Sequence, residues 1–401
     1  MKFSLIKERK NPPDRRVVFS PQACENIKNQ YPQVEFIVES SDIRIFTDRE
    51  YKEKGFEITQ EIESADVMLG VKEVPVDFLI PNKKYFFFSH TIKKQPYNRK
   101  LLQAVLQKNI ELYDHETIVD EEGMRLIGFG YYAGIVGTYN GIRAYGLKYE
   151  MFELPKVESL PDRKAMEAVL DKIQLPAIKI VLTGIGKVGT GAKEILDYMK
   201  IKEVSSSEYL TKKFNEPVYT QLHVLDYNKR KDGKHKDIQD FFENTPEYES
   251  DFMKYAQVSD MYIAGHFYGD GSPFIFTRED AKSPCFNIKI VADISCDING
   301  PVACTLRAST IADPIYGYNP YTESEVDFKN LDAIAVMAVD NLPCELPKNA
   351  SEGFGEMFAK HVIPAFFNGD RNSILKRAKI TEKGALTERF KYLQSYIDRI
   401  E

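Results

Sequence analysis

The segment Lys179–Gly189 reads KIVLTGIGKVG and carries the clearest structural signal in this chain of 401 residues. Its apolar run predicts a strand over Lys179–Thr183, its glycines match the pattern GxGxxG, and a helix is predicted from Lys187 to about Met199. In such a unit the glycines permit a tight turn, close approach of the backbone to a pyrophosphate, and close helix–strand packing. We therefore predict a dinucleotide-binding Rossmann domain, with a purely structural glycine turn as the alternative. The residues assigned to the cofactor are Gly184, Gly186, Lys187, Val188 and Gly189.

The acidic residue that binds the ribose hydroxyls is expected at the end of the next strand. We predict that strand over Thr220–Leu225, which makes Asp226 the candidate and residues 201–217 an insertion. A carboxylate there would repel a 2′-phosphate and favour NAD, whereas the nearby Lys229 and Arg230 favour NADP. The alternative interpretation of Asp226 is an ordinary turn residue. NAD is therefore the predicted cofactor, with NADP left open.

Short apolar runs alternate with helical patterns on both sides of the glycine motif. Runs of this kind suit parallel strands that are covered on both faces, so the fold class is predicted to be α/β. The predicted strands are Phe3–Ile6, Glu35–Glu39, Ala65–Val71, Lys84–Ser89, Asn287–Ala292 and Ala333–Val339. The predicted helices before the motif are Pro21–Gln30, capped by Ser20, and Thr47–Lys54, which stops at Gly55.

A longer helix is predicted from about Tyr131 to Met151, and four glycines at its start recur at spacings of 4, 3 and 4: Gly130, Gly134, Gly137 and Gly141. That spacing places them on one helical face. Each interior glycine costs up to ~1 kcal/mol of helix propensity. We expect compensation from close backbone approach to another helix, in a connector between two domains.

Composition excludes several classes of function. The net charge is −6, whereas duplex-binding proteins normally carry a basic excess, so no nucleic-acid partner is expected. Five cysteines are widely spaced without a CxxC pair, which argues against disulfides and a zinc site. Charges interrupt the N-terminal residues too early for a signal peptide, and no apolar run could cross a bilayer. We therefore expect a cytoplasmic protein without a metal or a membrane partner.

Polar side chains follow three of the predicted strands, where α/β sheets present ligand-binding groups. Lys72 and Glu73 follow one strand, His90 follows another, and Tyr113-Asp114-His115-Glu116 follows a third. Lys72 beside Glu73, near a histidine, would suit proton transfer. A rim histidine and a solvated Lys–Glu pair are the alternative interpretations. Arg16 could bind a substrate carboxylate bidentately, the alternative being a surface arginine.

Nine stretches of the sequence carry a resemblance to known enzymes: Asp14–Arg16, Gly70–Lys72, Phe87–Lys93, Gly128–Gly137, Ala292–Asp297, Asp340–Pro343, Leu346–Pro347, Ile380–Thr381 and Tyr392–Gln394. They resemble the family that joins alanine dehydrogenase, lysine-forming saccharopine dehydrogenase, and the lysine–2-oxoglutarate reductase domain of aminoadipate semialdehyde synthase. The likeness runs over nearly the whole chain in the right order.

The resemblance implies an α/β protein with two Rossmann-like domains around a cleft and the nucleotide domain inserted in mid-chain. Residues 1–130 and 340–401 would form the substrate domain, and residues 131–339 the dinucleotide-binding domain. It also implies a reversible reaction in which a secondary amine loses hydride to the nicotinamide and the imine takes up water. An amine and an oxo acid then separate, as when saccharopine gives lysine and 2-oxoglutarate.

The resemblance further implies roles for particular residues. Lys72 and His90 would be the acid–base groups, and Asp293 would contact the cofactor. The residues implied to line the substrate site are Arg16, Glu73, Glu116, Arg125 and Asp340.

This chain departs from its relatives at three places. Saccharopine dehydrogenases have a lysine near Asn11, where this chain has Lys10 one place earlier. The reductase domain lacks a glutamate matching Glu73, and it has Ser-Arg in place of Asp226-Tyr227. Most of the chain therefore resembles the reductase domain, while Asp226 favours NAD as the cofactor.

Several functions stay open at this level. The leading hypothesis is an NAD-dependent saccharopine dehydrogenase-like enzyme of amino-acid metabolism. The alternatives are an NADPH-dependent lysine–2-oxoglutarate reductase, an alanine dehydrogenase, and a nucleotide-sensing protein without catalysis. Asp340–Pro343 favours the saccharopine branch, and the presence of Lys72 and His90 argues against a non-catalytic protein. The expected partners are small amino acids and oxo acids, and homo-oligomerisation is left open.

Overall fold

The chain folds into two units, each built on a mostly parallel sheet. The structure is a computed structural model that describes residues 1–234, 237–269 and 271–399. The first unit consists of Met1–Phe129 and the chain from Pro347 onward, and the second unit is Gly130–Leu346. The predicted divisions fall after residues 130 and 339, so the first lies one residue beyond the observed division and the second lies seven residues before it.

The first unit begins with six parallel strands and three helices. In chain order these are β1 (Lys2–Leu5), α1 (Pro21–Gln30), β2 (Glu35–Glu39), α2 (Asp48–Glu53), β3 (Glu57–Thr59), β4 (Val67–Leu69), β5 (Lys84–Phe87), α3 (Arg99–Gln107) and β6 (Glu111–Asp114). The strand order across the sheet is β3-β2-β1-β4-β5-β6. The order reverses between β1 and β4, and ligands of open α/β sheets bind beyond the carboxyl ends of the strands at such a point.

Local signals set the two early helices as predicted. The hydroxyl of Ser20 accepts a hydrogen bond from Ala23 N at 3.2 Å and caps α1. Thr47 and Glu50 form a reciprocal capping box at the start of α2. Gly55 follows that helix with φ of 78°, a conformation that suits glycine.

The second unit contains ten strands and seven helices within its described residues. In chain order these are α4 (Gly130–Lys148), α5 (Arg163–Leu170), β7 (Lys179–Thr183), α6 (Lys187–Tyr198), β8 (Lys202–Glu203), α7 (Ser206–Thr211), β9 (Val218–Leu222), β10 (Asn228–Arg230), α8 (Ile238–Glu243), β11 (Tyr248–Ser250), α9 (Met253–Ala256), β12 (Met261–Ala264), α10 (Arg278–Lys282), β13 (Ile290–Asp293), β14 (Ile315–Asn319), β15 (Ser324–Val326) and β16 (Ile334–Met337).

The main sheet of the second unit has the order β15-β14-β16-β13-β12-β7-β9-β8. The six strands from β16 to β8 run parallel, whereas β14 and β15 add an antiparallel edge. The order reverses between β7 and β12, so the glycine motif after β7 lies at the reversal.

The glycine-rich helix α4 packs within the second unit. A Cβ atom on Gly134 would overlap the carbonyl oxygen of Val188 on α6, and one on Gly191 of α6 would overlap the carbonyl oxygen of Tyr131. The predicted close approach to another helix is therefore confirmed. The partner is the helix that begins at the glycine motif.

The C-terminal segment returns to the first unit. Its elements are α11 (Pro347–His361), α12 (Ile363–Phe367), α13 (Ile374–Ala378), β17 (Thr381–Glu382), β18 (Ala385–Leu386) and α14 (Gln394–Ile397). Phe354 of α11 stacks on Phe129 with ring centroids 4.5 Å apart, and Ile380 N donates to Leu112 O beside β6. Among the described residues, no helix is long and apolar enough to cross a membrane.

Candidate active site

Glu8 and Lys72 follow the two strands between which the strand order of the first unit reverses. The Glu8 carboxyl accepts hydrogen bonds from Val71 N at 2.6 Å and from Lys72 N at 2.9 Å. Burial, with the charge of Asp14, raises the pKa of Glu8 from its usual 4.5 to about 8. Glu8 therefore holds the backbone of Lys72 in place as a mostly neutral acid at pH 7. Glu8 was not predicted from the sequence, although it lies three residues beyond β1, at the carboxyl edge of the sheet.

Lys10 and Glu73 form an ion pair beside this point. Lys10 Nζ lies 2.7 Å from Glu73 Oε2. The other oxygen, Glu73 Oε1, is buried and has no hydrogen-bond partner in the described part of the chain. An unsatisfied buried carboxylate oxygen is costly, so it marks a place where a ligand N–H group would be stabilised.

Arg16 is buried and already engaged. Its Nε and Nη2 atoms donate to the Asp14 carboxylate at 3.0 and 2.7 Å, and its guanidinium lies 4.2 Å from the ring centroid of Phe129. Burial would raise the pKa of Asp14, but Arg16, with a smaller contribution from Lys72, lowers it to about 2. The alternative of a surface arginine is wrong, because Arg16 is 3% exposed. Since Asp14 occupies the Nε–Nη2 edge, a substrate carboxylate would have to bind at another edge.

His90 is oriented by Glu116. His90 Nδ1 lies 3.0 Å from Glu116 Oε2, and Glu116 Oε1 lies 2.9 Å from Arg125 Nη2 and 3.3 Å from Lys93 Nζ. Burial would raise the pKa of Glu116, but these three cationic or donor groups lower it to about 2. The Lys93 ammonium also lies 3.4 Å from His90 Nδ1, but the Glu116 carboxylate is closer and can only accept hydrogen bonds. We therefore place the proton of the neutral ring on Nδ1, which leaves Nε2 as the acceptor.

Asp114 fixes both members of that pair through the backbone. Its Oδ2 accepts from Ser89 N and His90 N at 3.0 Å each, and its Oδ1 accepts from Glu116 N at 2.8 Å. His90 has φ of 53°, a conformation that side chains other than glycine rarely adopt. Asp114, which was expected only to follow the third strand, is therefore a positioning residue.

The carboxyl edge of the first unit thus holds Arg16, Lys72, Glu73, His90, Glu116 and Arg125, all of which the sequence analysis singled out. Asp340, the remaining residue predicted to line the substrate site, is exposed, follows β16, and belongs to the second unit.

The glycine motif of the second unit forms the predicted strand–turn–helix. Gly184 has φ of 95°, and a Cβ there would overlap the carbonyl oxygen of Gly265. A Cβ on Gly189 would overlap the carbonyl oxygen of Gly184, so this glycine allows α6 to pack against the loop. Gly186 caps α6 and would meet nothing within 4 Å. Its backbone is therefore open to an incoming phosphate group.

A cavity of about 460 Å³ adjoins this loop. Its walls include Gly186, Val188, Ile238, Phe242 and Phe267. His266, which follows β12, also lines it; the Nε2 atom is buried without a hydrogen-bond partner among the described residues. The open glycine, the apolar walls and this unsatisfied nitrogen fit a dinucleotide. The sequence analysis missed His266, although it follows a strand at the reversal point.

The predicted strand before Asp226 ends earlier than expected. β9 stops at Leu222, so His223 takes the position after the strand. Asp226 lies in the following turn, where its Oδ2 accepts from His223 N at 2.7 Å. The strand prediction is wrong at this end because the polar residues after Leu222 form a hydrogen-bonded turn instead of pairing with β7. Lys229 and Arg230 lie in β10, which pairs with β11.

Asp293 is bound to its own loop. Its carboxylate accepts from Ser295 N at 3.1 Å, Ser295 Oγ at 2.6 Å, Cys296 N at 3.2 Å and Thr305 Oγ1 at 2.6 Å. Burial raises the pKa of Asp293. These bonds give it a structural role in the loop after β13.

The two units therefore define an α/β protein with two Rossmann-like domains, as the sequence predicted. L-alanine dehydrogenase has this fold with a TM-score of 0.65 at 15% identity, over 99% of both chains. A transhydrogenase from Sinorhizobium meliloti has a TM-score of 0.58 at 14% identity, over 96% of this chain and 100% of that one.

Comparison of the amino-acid sequence with known proteins identifies a matching domain family and two kinds of related enzyme. Residues 4–136 match the family described as alanine dehydrogenase/PNT, N-terminal domain. The chain is homologous to mitochondrial alpha-aminoadipic semialdehyde synthase of Rattus norvegicus, at 28% identity over 98% of this chain and 47% of the relative. It is also homologous to saccharopine dehydrogenase (NAD(+), L-lysine-forming) of Schizosaccharomyces pombe, at 24% identity over 93% of this chain and 95% of the relative. The chain spans about half the length of the semialdehyde synthases.

Proposed function

We propose that this chain is an NAD(P)-dependent oxidoreductase that acts on the CH–NH bond of an opine-type amino acid. The substrate we assign is saccharopine, which would give lysine and 2-oxoglutarate reversibly. The observation that carries the proposal is the convergence of Lys72, Glu73, His90 and Glu116 at the carboxyl ends of adjacent strands β4, β5 and β6. The homology to saccharopine dehydrogenase supports it.

The proton transfers would fall to Lys72 and His90. A secondary amine must lose its proton before the adjacent carbon can give up hydride, and a nicotinamide, when bound, supplies the hydride acceptor. Hydrolysis then needs a group that activates water and a group that protonates the departing amine. His90 offers Nε2 as an acceptor because Glu116 holds the Nδ1 proton. Lys72, whose backbone is fixed by Glu8, would supply the second group.

Substrate recognition would depend on the charges around these two residues. The unsatisfied Glu73 Oε1 would accept an N–H of the substrate amine, while its partner Lys10 holds the other oxygen. Lys10, which forms this ion pair, is therefore one residue away from the position at which saccharopine dehydrogenases have a lysine. Arg16 and Arg125 would bind substrate carboxylates.

The glycine loop would hold the pyrophosphate, and we assign NAD(H) as the preferred coenzyme. Asp226 was predicted to favour NAD from the end of a strand, but its carboxylate lies in a turn and accepts a backbone hydrogen bond there. The support now comes from the neighbouring cations, since Lys229 pairs with Glu249 and Arg230 with Asp232. Neither cation lines the cavity, so they would do little for a 2′-phosphate. Titration with NADH and NADPH tests this, and tighter NADPH binding would overturn it.

The proposed activity is tested by a spectrophotometric screen. Purified protein is assayed with NADH and NADPH against lysine plus 2-oxoglutarate and against ammonia plus pyruvate, and Lys72→Met is the matched inactive control. We expect oxidation of NADH only with lysine plus 2-oxoglutarate. Turnover with ammonia and pyruvate would instead indicate an alanine dehydrogenase, and no turnover with tight NADH binding would indicate a nucleotide sensor.

A further inference from the structure

The first unit contains a cavity of about 860 Å³, distinct from the cavity beside the glycine loop of the second unit. None of the residues assigned to the substrate or to proton transfer lines it. Tyr113 of β6 forms one wall, and the C-terminal segment from Asp370 to Arg389 forms the rest. The cavity therefore lies along the same strand that ends at Asp114, beside the loop that carries Glu116.

The carboxylates at this cavity are already engaged. Asp370 accepts hydrogen bonds from Leu375 N at 3.0 Å and Lys376 N at 2.8 Å. Glu382 pairs with Lys379, and Glu388 pairs with a lysine outside the cavity, Lys391. The lining thus carries four cationic side chains against three carboxylates, and each carboxylate already has a hydrogen-bond or ion-pair partner.

Three other cations line the same cavity without an acidic partner. Arg377 donates its Nε and Nη2 to the carbonyl oxygen of Val119, at 3.2 Å each, and Arg389 Nη1 donates to Arg377 O at 3.1 Å. Within the described ranges, neither these guanidiniums nor Lys376 forms an ion pair with a carboxylate. Like charges around one cavity repel each other, and an anion that binds there would remove the repulsion. Guanidinium groups suit carboxylate and phosphate oxygens in particular.

The same arginine is connected to the candidate catalytic histidine. Val119, whose carbonyl oxygen Arg377 holds, forms an antiparallel bridge with Arg125. Arg125 in turn binds Glu116, which orients His90. An anion that draws the Arg377 guanidinium towards the cavity would therefore loosen its hold on the loop that carries Arg125.

We propose that this cavity is an effector site for a small polyanion bearing carboxylate or phosphate groups, and that its occupation is transmitted through Arg377 and Val119 to His90. The site goes beyond the proposed dehydrogenase reaction. Its binding test requires no turnover.

Binding is measured by isothermal titration with citrate and, separately, with inorganic pyrophosphate at physiological ionic strength. The variants are Lys376→Ala and Arg389→Ala, and Arg371→Ala is the matched control because Arg371 is exposed but does not line the cavity. Loss of one charge-assisted contact should weaken binding at least about tenfold. We expect that loss in the first two variants and not in the control. Binding of citrate alone identifies carboxylates as the ligand class, and pyrophosphate alone identifies phosphates. Equal loss in all three variants, or no binding of either anion, would overturn the proposal.

The connection to His90 is measured by NMR of histidine ring carbons, with the His90 signal assigned from its absence in His90→Gln. The anion that binds should shift the His90 signal of the wild type, and Arg389→Ala should raise the anion concentration at half-maximal shift by at least about tenfold. A half-maximal concentration that is unchanged in Arg389→Ala would place the anion at the candidate active site instead. Saturation of the wild type without any His90 shift would show that the proposed connection is wrong.

Discussion

The buried acid Glu8 should make the free energy of unfolding depend on pH, with a sign and a size that follow from the shift of its pKa. The folded chain raises the pKa of Glu8 from 4.5 to about 8, so between these pH values the folded state holds a proton that the unfolded state has lost. The contribution of Glu8 is fully present below pH 4.5 and is lost as the pH rises through the folded pKa. At about 1.4 kcal/mol per pKa unit, the loss reaches roughly 5 kcal/mol as an upper bound.

Glu8→Gln removes this titration but disturbs the hydrogen bonds. The two carboxyl oxygens accept from Val71 N and Lys72 N separately, and an amide can offer an acceptor to only one of them. The variant should therefore be less stable than the wild type by about 1–3 kcal/mol at low pH. Because the wild type loses more than this at high pH, the two stability curves should cross between about pH 5 and 7.

The assay is hydrogen exchange with mass spectrometry on peptides that span β4, because two units need not unfold together. Wild type and variant are compared at the same pH, so intrinsic exchange rates cancel. Glu35→Gln, at an exposed position at the start of β2, is the matched control and should give no crossing. If the curves of Glu8→Gln and the wild type stay parallel from pH 5 to 9, then Glu8 is not a buried neutral acid.

Three further predictions concern the site. Lys72→Met and His90→Gln should each lower kcat by about 10²–10⁴-fold while NADH affinity, measured by fluorescence, stays unchanged; near-wild-type kcat in either would remove that residue from the mechanism. Arg16→Lys, which keeps the charge but loses the planar fork, should raise KM for the carboxylate substrate about tenfold or more, and an unchanged KM would reject the assignment. Gly186→Val should abolish NADH binding without lowering the melting temperature, since its Cβ meets nothing within 4 Å; Gly128→Ala, equally open, is the control that should bind NADH normally.

The elements that the sequence predicted well are those with a local cause. The strand Lys179–Thr183 and the helix Pro21–Gln30 have the predicted bounds because an apolar run and a Ser-Pro cap specify them locally. The end of β9 was wrong, since Leu222 is followed by a turn that depends on a side chain three residues away, Asp226.

The site was predictable in part for the same reason. Residues that directly follow apolar strands, such as Lys72 and His90, stand out by position. The roles of Glu8 and Asp114 could not be predicted in this way, because they depend on which strands become neighbours in the sheet, and only then do their carboxyls meet Lys72 N and His90 N. The engagement of Arg16 by Asp14 depends on side-chain rotamers, which spacing alone does not specify.

The most direct test of the proposed function is product stoichiometry with saccharopine. Purified chain is incubated with saccharopine and NAD⁺, NADH is followed by absorbance, and lysine is quantified by chromatography beside a His90→Gln control. We expect one lysine for each NADH formed by the wild type, and a rate of NADH formation about 10²–10⁴-fold lower in the His90→Gln control. Absence of lysine, or NADH formed from another amino acid in its place, would contradict it.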